Sequence, residues 1–256
     1  MAELDSKNAM CSSYDTHNIG MDMQDEPDPL FIRSRALIGA EGVERLRKLR
    51  VAVFGIGGVG GYTVEALARA GVGTLYLVDG DTVSPSNLNR QLYALHSTIG
   101  QYKTAAAVAR IADINPACTV HQVVQHILPD EDGSLAALPF LSNIDCIVDA
   151  VDTIALKVAL AAEAETRGIP IVAAMGCGNK LRADLFQFAD IYDTAVCPLC
   201  KTMRSLLKKR GIKKLRVLYS KEVPAVRSRP PSSVSWVPAA AGILLAGDLL
   251  NQAIHR

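Results

Sequence analysis

"VAVFGIGGVGGYTVEAL", Val51 to Leu67, joins a continuously apolar, β-branched run to a helix-forming stretch through Gly55, Gly57 and Gly60, spaced G-x-G-x-x-G. A strand feeding a helix through such a turn is a phosphate-binding unit. The first glycine permits the tight turn, the second lets backbone approach a phosphate, and the third lets helix pack on strand. Free N–H groups at the helix start then face the anion. The glycines alone serve a hydride-carrying dinucleotide and ATP equally well.

The pattern continues outward from this turn. Strands are predicted at 51–55, 74–79, 119–125, 145–150 and 170–175, and helices at 33–49, 59–70, 101–114, 131–141 and 154–167. Runs such as "RVAVFG", "DCIVDAV" and "PIVAAMG" are apolar throughout, as expected when helices cover both faces of a sheet. Gly168, Ile169 and Pro170 stop the last of these helices. The expected fold is a doubly wound, mainly parallel, Rossmann-like α/β sheet. Beyond Gly176 the rhythm changes: "LFQFADIYD" and "LRVLYS" read as antiparallel strands around a basic helix, "PLCKTMRSLLKKRG", and a helix over 238–253 closes the chain. The expected organisation is an acidic, disordered tail over 1–30 and one domain over 31–256. That domain divides into a nucleotide-binding core (51–176) and a C-terminal extension (177–256).

The chain has 256 residues and is 49% hydrophobic, with a mean hydropathy of +0.18, enough for a sizeable core. Its formal charge of +1 conceals two opposed segments. Residues 1–30 carry seven acids against Lys7 alone, and residues 201–230 carry eleven Lys and Arg against Glu222 alone. Six cysteines and no basic, apolar leader point to a reducing, cytoplasmic setting rather than a disulfide framework. The run "WVPAAAGILLAGDLL" is apolar, but Pro238 and Asp248 are expected to confine it below a membrane-spanning length, as a buried helix and no membrane partner.

The residues after the second strand separate the two nucleotides. Asp79 follows the glycines by about twenty residues, where a ribose-binding acid belongs, and Asp81 comes two later. Then come Asn87, Arg90 and Gln91 in "SPSNLNRQL", and Lys103 in "GQYKTAAAVARI". A pyrophosphate needs little beyond helix N–H groups, whereas a triphosphate nearing its transition state needs cationic clamps and usually Mg²⁺. The fourth strand ends in "DAVDT", whose Asp152 is a natural Mg²⁺ holder, with Asp149 as an inward-facing structural acid.

These residues resemble the ThiF/MoeB/HesA superfamily, relatives of ubiquitin-activating enzymes that adenylate a carboxylate, over roughly 31–253. The stretches "AVFGIGGVGGYTVEALARAGVGTLYLVD", "ADINPACTV" and "SVSWVPAAAGILLAGDLL" are most similar to members that act on a threonylcarbamoyl group of tRNA adenosine. The resemblance implies ATP-dependent dehydration of that group through an acyl-adenylate. It implies that Gly58 and its neighbours hold phosphate, Asp79 the ribose, and Asn87, Arg90 and Lys103 the triphosphate. It further implies Mg²⁺ on Asp152 and a homodimer in which Arg33, or else Arg35, reaches the neighbouring subunit's ATP. tRNA is the implied partner, with the basic stretch 201–230 against its backbone. A sulfur-transfer or cysteine desulfurase partner stays open.

Two other readings compete. A MoeB- or ThiF-like activator of a ubiquitin-like sulfur carrier shares every ATP residue, and an NAD(P)-dependent oxidoreductase explains the glycines and Asp79 but leaves Lys103 and Asp152 without a task. "CPLC" (Cys197, Cys200) is half of a zinc pattern with no second pair after it, so structural zinc is not expected. Cys177 in "MGCGNK" reads as a small buried thiol.

Overall fold

The computed structural model describes residues 28–135, 138–226, 228 and 230–255. The apolar runs form seven short strands: β1 (Arg50–Phe54), β2 (Thr74–Val78), β3 (Thr119–Val123), β4 (Cys146–Asp149), β5 (Ile171–Ala174), β6 (Phe186–Asp190) and β7 (Arg216–Ser220). They lie in one sheet in the order β3-β2-β1-β4-β5-β7-β6. All neighbours are parallel except β6 and β7, which form the antiparallel pair expected of the C-terminal extension; β7 also runs parallel to β5. The helices are α1 (Ile32–Lys48, two helical segments meeting at a kink at Gly39, φ +75°), α2 (Gly60–Ala70), α3 (Lys103–Ile114), α4 (Ile154–Arg167), α5 (Pro198–Lys209) and α6 (Trp236–Ile254).

Alternation along β1 divides the core. Val51 and Val53 face a layer built on α2, α3 and α6, with Val64, Leu67, Ile111 and Leu245. Ala52 and Phe54 face the opposite layer, with Leu141, Ile147 and Leu160. A third cluster, including Met203, Leu207, Val217 and Tyr219, fills the space between α4, α5 and the β7 end of the sheet. Burial on both faces explains why these strands read as unbroken apolar runs.

The helix predicted over 131–141 does not form among the described residues. Gly133 N–H donates to the Asp130 carbonyl (2.7 Å), the Ser134 N–H goes to the Asp132 carboxylate (2.8 Å), and Pro139 opens a short 3₁₀ turn, Pro139–Asn143. Side chains that bond nearby backbone in a turn compete with helix. Leu135, Leu138 and Leu141 are buried nonetheless, so their spacing reported burial and not helicity.

The two ends also differ from expectation. The Asp28 carboxylate caps the 3₁₀ turn Pro29–Phe31 and pairs with Arg47 (3.1 Å), and Phe31 is buried, so residues 28–30, assigned to the tail, are structured; residues 1–27 lie outside the described residues. At the other end, α6 has 19 residues and is long and apolar enough to cross a membrane by length and composition. Pro238 does not shorten it because proline is tolerated in a first turn, and Asp248 is paired with Arg216 (2.8 Å). Nor is it wholly buried. Val237, Ala241, Leu245 and Leu249 pack inward while Trp236, Ile243 and Leu244 remain exposed. Its inner face rests on α2, where the Thr63 hydroxyl donates to the Gly242 carbonyl (3.0 Å).

Candidate functional site

The carboxyl ends of β1, β2, β4 and β5 bring the sequence-predicted residues to one edge of the sheet. Gly55 adopts φ +85°, and a Cβ there would lie 2.7 Å from the Ala150 carbonyl oxygen. A Cβ on Gly60 would lie 1.8 Å from the Gly55 carbonyl oxygen, so the first and third glycines are sterically required. Gly58 lies under Pro238 of α6 and the stem of Arg90, and Gly57 faces the amide of Gln91. Arg90 and Gln91 therefore border the glycine turn. The Arg90 guanidinium donates to the Ser86 carbonyl and to Asn89 Oδ1, both at 2.9 Å. These are single donations from a group with five N–H hydrogens, which leaves capacity for an anion.

Asp79 sits beneath the turn. Its Oδ2 accepts the Ile56 N–H (2.7 Å) and its Oδ1 the Asp81 N–H (2.8 Å), with its side chain 9% exposed. The acid predicted for the ribose braces the turn, with each oxygen keeping lone-pair capacity. Lys103, at the start of α3, is nearly buried. Its Nζ lies 2.5 Å from Asp81 Oδ2 and 4.0 Å from Asp79 Oδ2. A bridge between Thr82 and Tyr102 folds the intervening chain back and makes this pairing possible. Asn87 is buried, and its Oδ1 accepts the Ser84 N–H (3.1 Å); it shapes the loop that presents Arg90.

The two acids of "DAVDT" differ in environment. Asp152 is exposed, its Oδ1 contacted by the Thr153 hydroxyl at 3.5 Å. Asp149 is fully buried, where Oδ1 accepts from Lys157 Nζ (3.0 Å) and the Val151 N–H (3.2 Å). Burial pushes its carboxyl above the ordinary range, against the pull of Lys157. No group of three or more His, Cys, Asp or Glu is placed to hold a metal among the described residues. Mg²⁺ commonly takes one or two carboxylates together with substrate phosphates and water, so Asp152 fits that ion only as a companion of bound triphosphate.

Arg33 is exposed on α1 and Arg35 half-buried, and the structure brings neither to this edge. Nearby Phe31 packs on Gly71, at the far end of α2 from the glycine turn. The eleven residues of α2 separate the two by roughly 16 Å.

Cys197 and Cys200 are buried at the start of α5. The Cys200 thiol donates to the Cys197 sulfur and, with N–H groups of Cys200, Gly176 and Leu199, brings Cys197 down to about 5 against the effect of burial; Cys200 is pushed up. Cys177 is half-buried, not fully buried as expected, yet desolvation still pushes its thiol up to about 12, in keeping with an unreactive thiol.

Sequence reasoning overlooked Asn89, whose amide donates to the Ser233 carbonyl (3.1 Å) and ties the Arg90 loop to the segment leading into α6. It also overlooked Lys157, 1% exposed, whose only signal was a lone charge inside the apolar run "IALKVAL". Of the basic stretch, Arg204 is pinned to the Thr194 carbonyl (2.9 Å), Arg210 to the Gly133 carbonyl (3.2 Å) and Arg216 to Asp248. Lys201, Lys208, Lys209, Lys213, Lys214 and Lys221 are exposed, whereas Arg227 and Arg229 lie outside the described residues.

The comparisons agree with this geometry. A Bacillus subtilis (strain 168) protein named tRNA threonylcarbamoyladenosine dehydratase is 41% identical over 239 residues, 86% of this chain and 92% of its own length. The crystal structure of Escherichia coli tRNA N6-threonylcarbamoyladenosine dehydratase, TcdA, in complex with AMP is similar with a TM-score of 0.81 and 29% identity, covering 87% of this chain and 93% of that one. Its ATP complex gives a TM-score of 0.80 at 29% identity, over 88% and 93%. The ThiF family matches residues 31–251. With its glycine turn, its bracing acid and its cationic loop in one place, this chain belongs to the ThiF family.

Proposed function

We propose that this protein uses ATP to dehydrate and cyclise the threonylcarbamoyl group on a tRNA adenosine. The observation that carries the proposal is the glycine turn bordered by Arg90 and Gln91 above a braced Asp79, in a chain alike to ATP- and AMP-bound TcdA over most of its length. The substrate carboxylate attacks the α-phosphorus of ATP and expels pyrophosphate, giving an acyl-adenylate. The urea of the same group then attacks the activated carbonyl; AMP leaves with the C–O electron pair and the urea gives up a proton, for net loss of water. Ring closure is intramolecular, so positioning supplies much of the rate and no enzyme nucleophile is needed.

Arg90 offsets charge building on the phosphates, and Asp79 orients the ribose while holding the turn. Lys103 neutralises Asp79 and Asp81 before nucleotide arrives and turns to phosphate once it is bound. Bound with ATP on Asp152, Mg²⁺ would supply further charge neutralisation. Arg33, remote from its own turn, acts on the nucleotide of a second copy in a homodimer, with Arg35 as the alternative. The exposed lysines of 201–221 meet tRNA backbone. We place the enzyme in the cytoplasm as part of this proposal; the two chemical steps consume no sulfur, so a sulfur-transfer or cysteine desulfurase partner would serve a role outside them.

The test is AMP formation by the purified protein with tRNA bearing the modification and with unmodified tRNA. Only the first should support turnover, with a mass decrease of one water in the nucleoside. Equal AMP formation on unmodified tRNA would refute the assignment. Pyrophosphate exchange driven by a Gly-Gly-ending carrier protein would favour carrier adenylation instead.

A further inference from the structure

Lys157 and Asp149 form a buried ion pair that the proposed chemistry does not use. Side-chain exposures are 1% and 0%. Stability alone is a weak reason for the pair, because well-packed apolar residues in the same volume are often at least as stabilising. The cost is compounded by Asp149 Oδ2, which is buried without a hydrogen-bond partner among the described residues.

What the pair does join is the edge that holds the site. Lys157 Nζ, on the first turns of α4, donates to Asp149 Oδ1 at the end of β4 (3.0 Å) and to the Ala174 carbonyl at the end of β5 (2.7 Å). Asp149 Oδ1 also takes the Val151 N–H, which bends the chain immediately after the strand. Ala150, inside that bend, fills the concavity of the glycine turn. Its carbonyl lies 2.7 Å from where a Cβ of Gly55 would be, and its Cβ 3.3 Å from that of Gly60. Two residues further on, the same chain presents Asp152 to solvent.

We propose that Lys157 is a positioning residue for the nucleotide phosphates, fixing the 150–153 loop and Asp152 against the glycine turn through its joint hold on Asp149 and Ala174. This rests on the reading of the glycine turn as a phosphate site. Asp79 and the ribose lie across the turn and do not depend on the tie.

Calorimetric titration with ATP and with adenosine, on the full chain, separates positioning from mere structure. Asp149→Asn with Lys157→Met removes both charges yet keeps an oxygen for the Val151 N–H. It should weaken ATP binding by about tenfold or more, because small displacements of binding groups are costly. Adenosine affinity should stay within about twofold, an effect a purely structural role would not separate. Lys157→Arg keeps the charge opposite Asp149 and is the second variant should the double variant fail to fold. A planar guanidinium cannot reproduce the amine's attachment to both acceptors, and the same split is expected. If the wild-type protein prefers ATP over adenosine and both variants keep that preference within about twofold, the positioning role is wrong. If the wild type shows no preference, the phosphate reading itself is wrong.

Discussion

Gly60 leaves no room for a methyl group, since the nearest atom to a Cβ would be a backbone oxygen 1.8 Å away. Gly60→Ala should destabilise the fold by about 3 kcal/mol, lowering the melting temperature by on the order of 10 °C. Differential scanning calorimetry checks this, and an unchanged midpoint would contradict the packing described. Asp79→Asn should weaken ATP binding by at least about tenfold, because the amide replaces one bracing acceptor by a donor facing an N–H. The Cys197–Cys200 pair has a pH signature. Cys197 sits at about 5 when folded against 9 when free, so its contribution is full above pH 9 and is lost as pH falls toward 5. Cys200 is raised, so it opposes any further gain above the ordinary thiol range. Relative to a Cys197→Ala/Cys200→Ala double variant, wild-type melting temperature should therefore climb between about pH 5 and 8. Parallel curves for the two proteins would overturn this. Gly55 and Gly60 were legible in the sequence because backbone geometry demands glycine there, whereas Asp79 was singled out for the ribose and its bracing of Ile56 N–H was not visible. The Lys103–Asp81 pairing was not visible either, because it depends on a non-local bridge, Thr82 to Tyr102, that no periodicity announces.

Among the elements, α2 and α6 matter most to the site, since α2 begins at the glycine turn and the first turn of α6 lies over Gly58. Gly242 is where the two helices touch, and a Cβ there would stand 2.3 Å from the Val59 carbonyl oxygen. Gly242→Ala should push α6 away from α2 and lower both thermal stability and ATP affinity. Loss of stability with ATP affinity intact would mean that α6 does not support the turn. Strands and the four helices between Gly60 and Lys209 were legible because both-face burial and capping glycines leave plain marks, as at Gly168 (φ +67°) closing α4. The segment 131–141 misled because Leu135, Leu138 and Leu141, at helical spacing, pack into the core although Asp130, Asp132 and Ser134 hold a turn ahead of them. In α6 the error was to treat Pro238 as a boundary, although a proline in the first turn costs no internal hydrogen bond.

For the whole molecule, the basic residues are divided. Lys208, Lys209, Lys213 and Lys214 precede β7 and so sit toward the amino-terminal edge of the parallel strands, opposite the glycine turn. Replacing these four with alanine should weaken tRNA binding, and the slope of log affinity against log salt should fall by about one for each phosphate no longer neutralised. ATP binding should not change, and an unaltered salt slope would remove this surface from the tRNA interface. Composition exposed the charge but not its location, which follows from strand order. β7 lies between β5 and β6 although it follows both in the chain. Until Ser220 has left the ribosome, the strand ending at Ala174 has an open flank and the one ending at Asp190 has no partner. Shortened products stopping before that point should therefore be captured by chaperones or associate with one another, whereas addition of five residues, Arg216–Ser220, closes both flanks at once.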